Sequence, residues 1–169
     1  KVKKFFVFML VIGLAVFTAL ASAASLNDYS ENKIVDHVFR GTAYSETVPG
    51  SYYVALFTSS CTDAAVGIEV SGGSYARVAI ARSLAAWNGT HGNATGASSG
   101  TGGTISNAGV LTFPAPTANW GSVTAFGVLD ASTAGNPIVC TDLTTPKTIN
   151  NGDAAPSFAI GALTIQIDN

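Results

Sequence analysis

The chain has 169 residues, enough for one domain of ordinary size. Hydrophobic residues make up 47% of it and charged residues only 11%, which argues against a disordered chain. With 8 Lys and Arg against 10 Asp and Glu, and no basic stripe, the composition also predicts no nucleic-acid partner.

The first residues have the pattern of a secretory signal peptide. Three lysines within the first four residues precede the apolar run 5–20, and Ala21-Ser22-Ala23 supplies the small residues of a cleavage site. An uncleaved run of this length also spans a bilayer, and burial in an assembly is a third alternative. We therefore expect residues 1–23 to be a signal peptide or a hydrophobic anchor, with any membrane contact made through residues 5–20.

Residues 25–40 predict a helix, within an N-terminal segment that covers residues 24–41. Asp28 and Glu31 have the spacing of a capping pair, and Gly41 stands where a C-cap glycine is expected. One apolar face at helical spacing consists of Ile34, Val35, Val38 and Phe39. A short helix with a single apolar stripe is not stable alone, so we expect this face to lie against the β-domain or a partner and name it as a candidate assembly surface.

From Tyr52 onward the hydrophobic period changes to two, which is typical of strands. The predicted strands are 52–58, 67–70, 75–81, 110–113, 123–130, 137–143, 147–149 and 158–167. Residues 71–74 predict a hairpin turn, and the segment 88–109, with seven glycines, predicts an exposed loop. The spacing predicts a mainly β fold over residues 42–169, an antiparallel β-sandwich that is jelly-roll-like or a small barrel.

Both faces of the strand 123–130 are apolar. Phe126 and Val128 lie on one face, and Ala125 and Leu129 on the other. We expect from this pattern that other subunits cover part of the sheet surface.

The two cysteines, Cys61 and Cys140, suggest one disulfide in an exported chain. Such a bond would close a loop of about 80 residues and contribute roughly 3–4 kcal/mol by chain-entropy arguments. Two buried free thiols are the alternative, because the sequence does not define the geometry of the pair.

The sequence contains no strong pattern for chemistry. Asp36 and His37 are neighbours on the predicted helix and point about 100° apart, and His91 lies in the glycine-rich segment. No metal-binding spacing surrounds Cys61, Asp63 or His91. We therefore predict no catalytic residues, no enzymatic activity, no cofactor and no metal.

The aromatic residues support one binding hypothesis, since a β-sandwich can present rings that stack on sugars. Trp87 is the best candidate because it borders the glycine-rich segment, and its partner would be a cell-surface glycan. The alternative is that the aromatic residues serve the fold: Tyr52, Tyr53 and Tyr75 would fill strand faces, and Trp120 would cap the sheet.

Six segments carry a resemblance: Ser25–Tyr44, Tyr53–Ser59 (YVALFTS), Glu69–Ala79 (EVSGGSYARVA), Thr112–Gly121 (TFPAPTANWG), Val123–Asp130 and Leu143–Gly152 (LTTPKTINNG). Taken in this order they resemble a family of small virion proteins of tailed bacteriophages, the tail-fibre proteins, over residues 25–167. The resemblance implies a non-enzymatic, β-rich tail-fibre or capsid-surface subunit that forms homo-oligomers and contacts other virion proteins.

The leader and the two cysteines are features that we do not expect in that family. They keep two alternatives open: an exported subunit of an extracellular filament, and a secreted or cell-surface carbohydrate-binding module.

Overall fold

The computed structural model describes residues 16–17, 26–41, 49–89 and 103–167. Helix α1 spans Asp28–Phe39. The strands are β1 (Val16–Phe17), β2 (Ser51–Phe57), β3 (Val78–Ala81), β4 (Trp87–Asn88), β5 (Thr104–Asn107), β6 (Leu111–Thr112), β7 (Gly121–Leu129), β8 (Pro137–Ile149), β9 (Ser157–Phe158) and β10 (Thr164–Gln166).

The strands form three sheets. The largest is antiparallel and has the order β3-β2-β7-β8. In the second, β5 lies between β4 and β10, and both pairings are antiparallel. In the third, β9 pairs antiparallel with β6 and parallel with β1. The predicted fold class, a mainly β sandwich with one helix near the N-terminus, is confirmed for the described residues.

The main core lies on the inner face of the large sheet. Val54 is opposite Val128 and Leu56 is opposite Phe126, and all four side chains are buried because alternate residues of a strand share a face. The ring of Phe158, from the small third sheet, lies 5.2 Å from that of Phe126. Residues from all three sheets thus contribute to one hydrophobic core.

The outer face of the large sheet is also apolar, and the chain itself covers it. Ala55, Phe57, Ala125 and Leu129 are buried there, and Val66 and the two cysteines pack against them. The loop that follows β2 therefore buries this face. These four residues are thus buried without another subunit, and the expectation that other subunits cover part of the sheet surface stays a prediction.

The predicted hairpin between 67–70 and 75–81 was wrong. Residues 67–70 form a single bridge, from Glu69 to Phe57, and β3 pairs with β2 instead. The turn itself exists: the backbone φ angles of Gly72, Gly73 and Ser74 are all positive. After this turn the chain leaves the sheet, so the return strand begins only at β3.

Three other predictions, one of a loop and two of strands, also need correction. The predicted loop 88–109 contains β5, which ends at the fully buried Asn107. The side chain of Asn107 donates to the carbonyls of Gly109 and Ala159 and accepts the N–H of Leu163. These hydrogen bonds allow a polar side chain to be buried there, which the pattern of apolar residues did not indicate. The predicted strand 158–167 divides at Gly161 (φ +74°) into β9 and β10, and the two strands predicted over 137–149 are one, β8.

The predicted leader lies outside the described residues except for β1. In the described parts of the chain, no helix is both long and apolar enough to cross a membrane. The glycine-rich residues 90–102 also lie outside the described residues.

The core can be tested with two isoleucines. Ile149, at the end of β8, is 1% exposed, whereas Ile160, in the turn before β10, is 63% exposed. We expect Ile149→Ala to lower the free energy of unfolding by about 2–4 kcal/mol, because it removes buried atoms and leaves a cavity. The matched change Ile160→Ala should lower it by less than about 0.5 kcal/mol. Urea unfolding followed by tryptophan fluorescence measures both, and equal losses would contradict this assignment of the core.

Candidate interaction site

Helix α1 is fastened to the sandwich at its start. The backbone N–H of Asn27 donates to the carbonyl of Ile138 in β8 (3.2 Å). Its side-chain amide donates to two carbonyls of the loop after β2, those of Thr62 (3.2 Å) and Asp63 (2.8 Å). One buried residue, through its backbone and its side chain, therefore joins the helix to a sheet strand and to a loop.

Asn27 is also the N-cap residue of α1, and its side chain makes no capping hydrogen bond. The prediction of a capping pair formed by Asp28 and Glu31 was wrong, because both residues lie inside the first helical turn. Negative charges at that position interact favourably with the N-terminal end of the helix dipole. The amide that would otherwise cap the helix is used to bind the loop.

A disulfide restrains the same loop. The structure joins Cys61 to Cys140, with their Cα atoms 5.8 Å apart, and so ties the loop to β8. The N–H of Cys61 also points to a carboxylate oxygen of Asp142 (3.4 Å). The disulfide and the Asn27 amide thus hold adjacent residues, which fixes the surface on which α1 sits.

Three carboxylates gather where the helix meets the loop. One oxygen from each of Asp28, Glu31 and Asp63 lies within 4.8 Å of the other two. Partial desolvation and the neighbouring charge of Asp28 raise the pKa of Asp63 above its ordinary value. Because Asp63 is on the exposed surface, we regard the like charge as the more important cause.

Two ion pairs of the described residues lie elsewhere. Arg40 pairs with Asp36 on the exposed side of α1 (2.9 Å), and Arg77 pairs with Glu69. Neither arginine therefore neutralises the three clustered carboxylates.

The second half of α1 presents an apolar surface to solvent. Val35, Val38 and Phe39 are 47%, 61% and 80% exposed, and Ile34 is half-buried. We call Val35, Val38 and Phe39 the α1 apolar patch. Of the two expectations for this face, contact with the β-domain or with a partner, the first is not met by the described part of the β-domain, which leaves the patch uncovered.

A second network holds the segment 69–77 against the loop that follows β7. The Arg77 side chain is almost fully buried and donates two hydrogen bonds to the Glu69 carboxylate (2.8 and 2.7 Å). It donates two more to the carbonyls of Ala131 (2.7 Å) and Ala134 (2.8 Å). Sequence reasoning assigned no role to this pair, since an acidic and a basic residue at this spacing match no local pattern.

Tyr75 belongs to the same network. Its hydroxyl donates to Glu69 (3.0 Å) and accepts the N–H of Leu56 (2.9 Å). Burial, together with the negative charge of Glu69, raises the pKa of the Tyr75 hydroxyl, so the hydroxyl stays protonated as a donor. The ring packs edge-on against Trp120, which is buried and donates to the carbonyl of Gly73 (3.0 Å). These two aromatic residues therefore serve the fold.

Trp87 lies in the wall of an apolar groove of about 440 Å³ between the large sheet and the second sheet. Its neighbours in the lining include Leu26, Tyr52, Leu84, Ile105 and Ile138. The indole N–H already donates to the carbonyl of Ala81 (3.1 Å). The groove thus offers an apolar surface with Trp87 at half-burial.

The histidines occupy no shared site among the described residues. His37 is exposed on α1 next to Asp36, which is paired with Arg40. His91 lies outside the described residues.

A comparison with protein families gives a match over most of the chain. The sequence model of the family described as "Podophage GP4 fiber I protein gp80" matches residues 25–166. The matched range begins just before α1 and ends in β10, so it covers the helix, every strand except β1, and both hydrogen-bond networks. No curated protein matches the chain.

The Arg77 network gives a direct test. We expect Arg77→Lys to lower the free energy of unfolding by about 2 kcal/mol, because an ammonium group cannot make the four hydrogen bonds of the guanidinium. The control is Arg82→Lys, at an exposed arginine, which should change stability by less than about 0.5 kcal/mol. Thermal unfolding monitored by circular dichroism measures both. A destabilisation by Arg82→Lys as large as that by Arg77→Lys would refute the structural role of the network.

Proposed function

The chain belongs to the podophage GP4 fiber I protein gp80 family, and on this basis we propose that it is a non-enzymatic structural subunit that self-assembles on a virion, in a tail fibre or at the capsid surface. Membership of a phage fibre family implies a location in the virion and association with other virion proteins. The proposal adds that copies of this chain associate with one another, and that helix α1 makes the contact.

The observation that supports self-assembly is the α1 apolar patch. Among the described residues eight large apolar side chains are exposed, and three of them, Val35, Val38 and Phe39, lie within five positions of one helix. Covering Phe39 alone would remove roughly 150 Å² of apolar surface from water, a gain of about 4 kcal/mol before the entropic loss of association. An exposed cluster of this kind is typical of an interaction site.

The rest of the fold supports the same role. Residues of the chain itself bury apolar side chains on both faces of the large sheet. Helix α1 is held at one end by Asn27 and exposes apolar residues at the other. We infer that residues 24–41 form the assembly segment and residues 42–169 the body that it carries.

A glycan-binding role for Trp87 is the second candidate. The groove supplies the rings of Trp87 and Tyr52, but apart from these two residues its polar side chains are Arg82 and Ser83, whereas sugar recognition needs several hydrogen-bonding groups. The groove therefore fits an apolar ligand better than a sugar, and we rank the glycan proposal below self-assembly.

Sedimentation velocity of the full chain over a range of concentrations tests the proposed function. We expect the wild-type protein to form oligomers and Phe39→Asp to weaken the association at least tenfold, because the substitution places a charge in the apolar contact. The control is Ile160→Asp, which puts the same charge at an exposed isoleucine outside α1 and should leave the oligomer intact.

Both variants change exposed residues, so their melting temperatures should match that of the wild type as monomers. A wild-type chain that stays monomeric at all concentrations would refute self-assembly. Loss of the oligomer in Ile160→Asp but not in Phe39→Asp would refute the assignment to α1.

A further inference from the structure

The helix dipole explains the position of the three clustered carboxylates only in part. Asp28 and Glu31 come from the first turn of α1, and Asp63 comes from the loop after β2. The N-terminal end of a helix offers the equivalent of roughly half a positive charge, which is too little to neutralise three carboxylates. The fold thus brings like charges from two separate segments to one point.

The residue that precedes Asp28 has a buried oxygen without a partner. Asn27 is 3% exposed, and its Oδ1 makes no hydrogen bond in the described part of the chain. Its orientation is well defined, since the amide nitrogen must face the two carbonyls that it binds. Asn27 is next to Glu31 on the helix surface, at a spacing of four residues, and is hydrogen-bonded to the backbone of Asp63.

The side chains of Asn27 and Asp63 also line one cavity. Its volume is about 270 Å³, and Asp142 of β8 contributes a further carboxylate to its wall. Ser30, 2% exposed in the same helical turn, has a second unpartnered oxygen, Oγ. A buried acceptor without a donor is unfavourable in a folded protein, and a cation is a group that satisfies such an oxygen together with carboxylates.

We propose that Asp28, Glu31 and Asp63, together with Oδ1 of Asn27, bind one calcium ion. All four donors are oxygen atoms, which hard divalent cations prefer. Two oxygens bound to the same Ca²⁺ can be about 5 Å apart, whereas for Mg²⁺ the limit is about 4.2 Å. The three carboxylate oxygens lie within 4.8 Å of one another, which is inside the limit for Ca²⁺.

The ion would join α1 to the loop that the Cys61–Cys140 disulfide ties to β8. Because the three carboxylates are exposed, water completes the coordination, and the affinity should be that of extracellular modules, with a Kd of about 0.1–1 mM. Spacing within the sequence predicted no metal site, since the ligands come from two segments that only the fold brings together. This proposal does not depend on the proposed virion role.

Thermal unfolding of the full chain, after treatment with EDTA and dialysis, provides the test. We expect about 10 mM CaCl₂ to shift the unfolding equilibrium at least tenfold towards the folded state and to raise the Tm by about 3 °C. MgCl₂ at the same concentration, and NaCl at the same ionic strength, should raise it less. Isothermal titration with CaCl₂ should show one site per chain.

Asp63→Asn gives a signature that a merely structural carboxylate would not give. In the metal-free protein this variant should be as stable as the wild type or more stable, because it removes a like charge, yet the gain from calcium should disappear. Glu31→Gln, a second variant on the exposed helix surface, should behave in the same way. The control is Asp36→Asn, which removes a carboxylate from the same helix outside the cluster and should keep the full gain.

Three results would overturn the proposal. The first is a calcium effect no greater than that of magnesium or of matched NaCl. The second is a full calcium gain in both Asp63→Asn and Glu31→Gln. The third is loss of the gain in Asp36→Asn, which would place the ion elsewhere on the helix.

Discussion

The position of helix α1 depends on the hydrogen bonds of one buried side chain, that of Asn27. Its amide donates to the carbonyls of Thr62 and Asp63, and its backbone N–H donates to β8. Since hydrogen bonds of a buried amide must be made within the protein, this residue determines where the helix starts and which loop it contacts. The disulfide from Cys61 holds the same loop against β8, so a covalent bond and a buried amide restrain one junction.

Hydrogen bonds hold helix α1 at its start, and its second half is left exposed. The first turn is buried or contacts the loop, whereas the second half extends with Val38 and Phe39 exposed. A short helix of this kind is not stable by itself and depends on packing along its apolar face. Residues of the chain itself bury apolar side chains on both faces of the large sheet, and we propose that the exposed apolar face of α1 contacts another chain. The same junction collects the three carboxylates, and the calcium ion that we propose there would stiffen the attachment of the helix.

Periodicity predicted what depends on local pattern and missed what depends on contacts between distant segments. The strand around Val54, the central strand around Phe126 and the helix were predictable, because burial of alternate or helical positions leaves a direct trace in the sequence. The strand ending at Asn107 was not, since a polar residue buried by its own hydrogen bonds breaks the apolar pattern. The contacts of Asn27 and Arg77 were equally invisible, because their partners are defined by the fold. For the candidate site, the sequence predicted the apolar face of the helix but not that Val35, Val38 and Phe39 of this face would be exposed.

Photo-crosslinking from the helix tests the central claim most directly. A photoreactive phenylalanine analogue at position 39, in place of Phe39, should form covalent links between subunits, with the linked peptides mapped by mass spectrometry. The same analogue at Ile160, which is also exposed, should give links within one chain or to solvent. Links between subunits from position 39 in large excess over position 160 are the result that assembly through α1 predicts. Equal yields from the two positions, or only links within one chain from position 39, would contradict it.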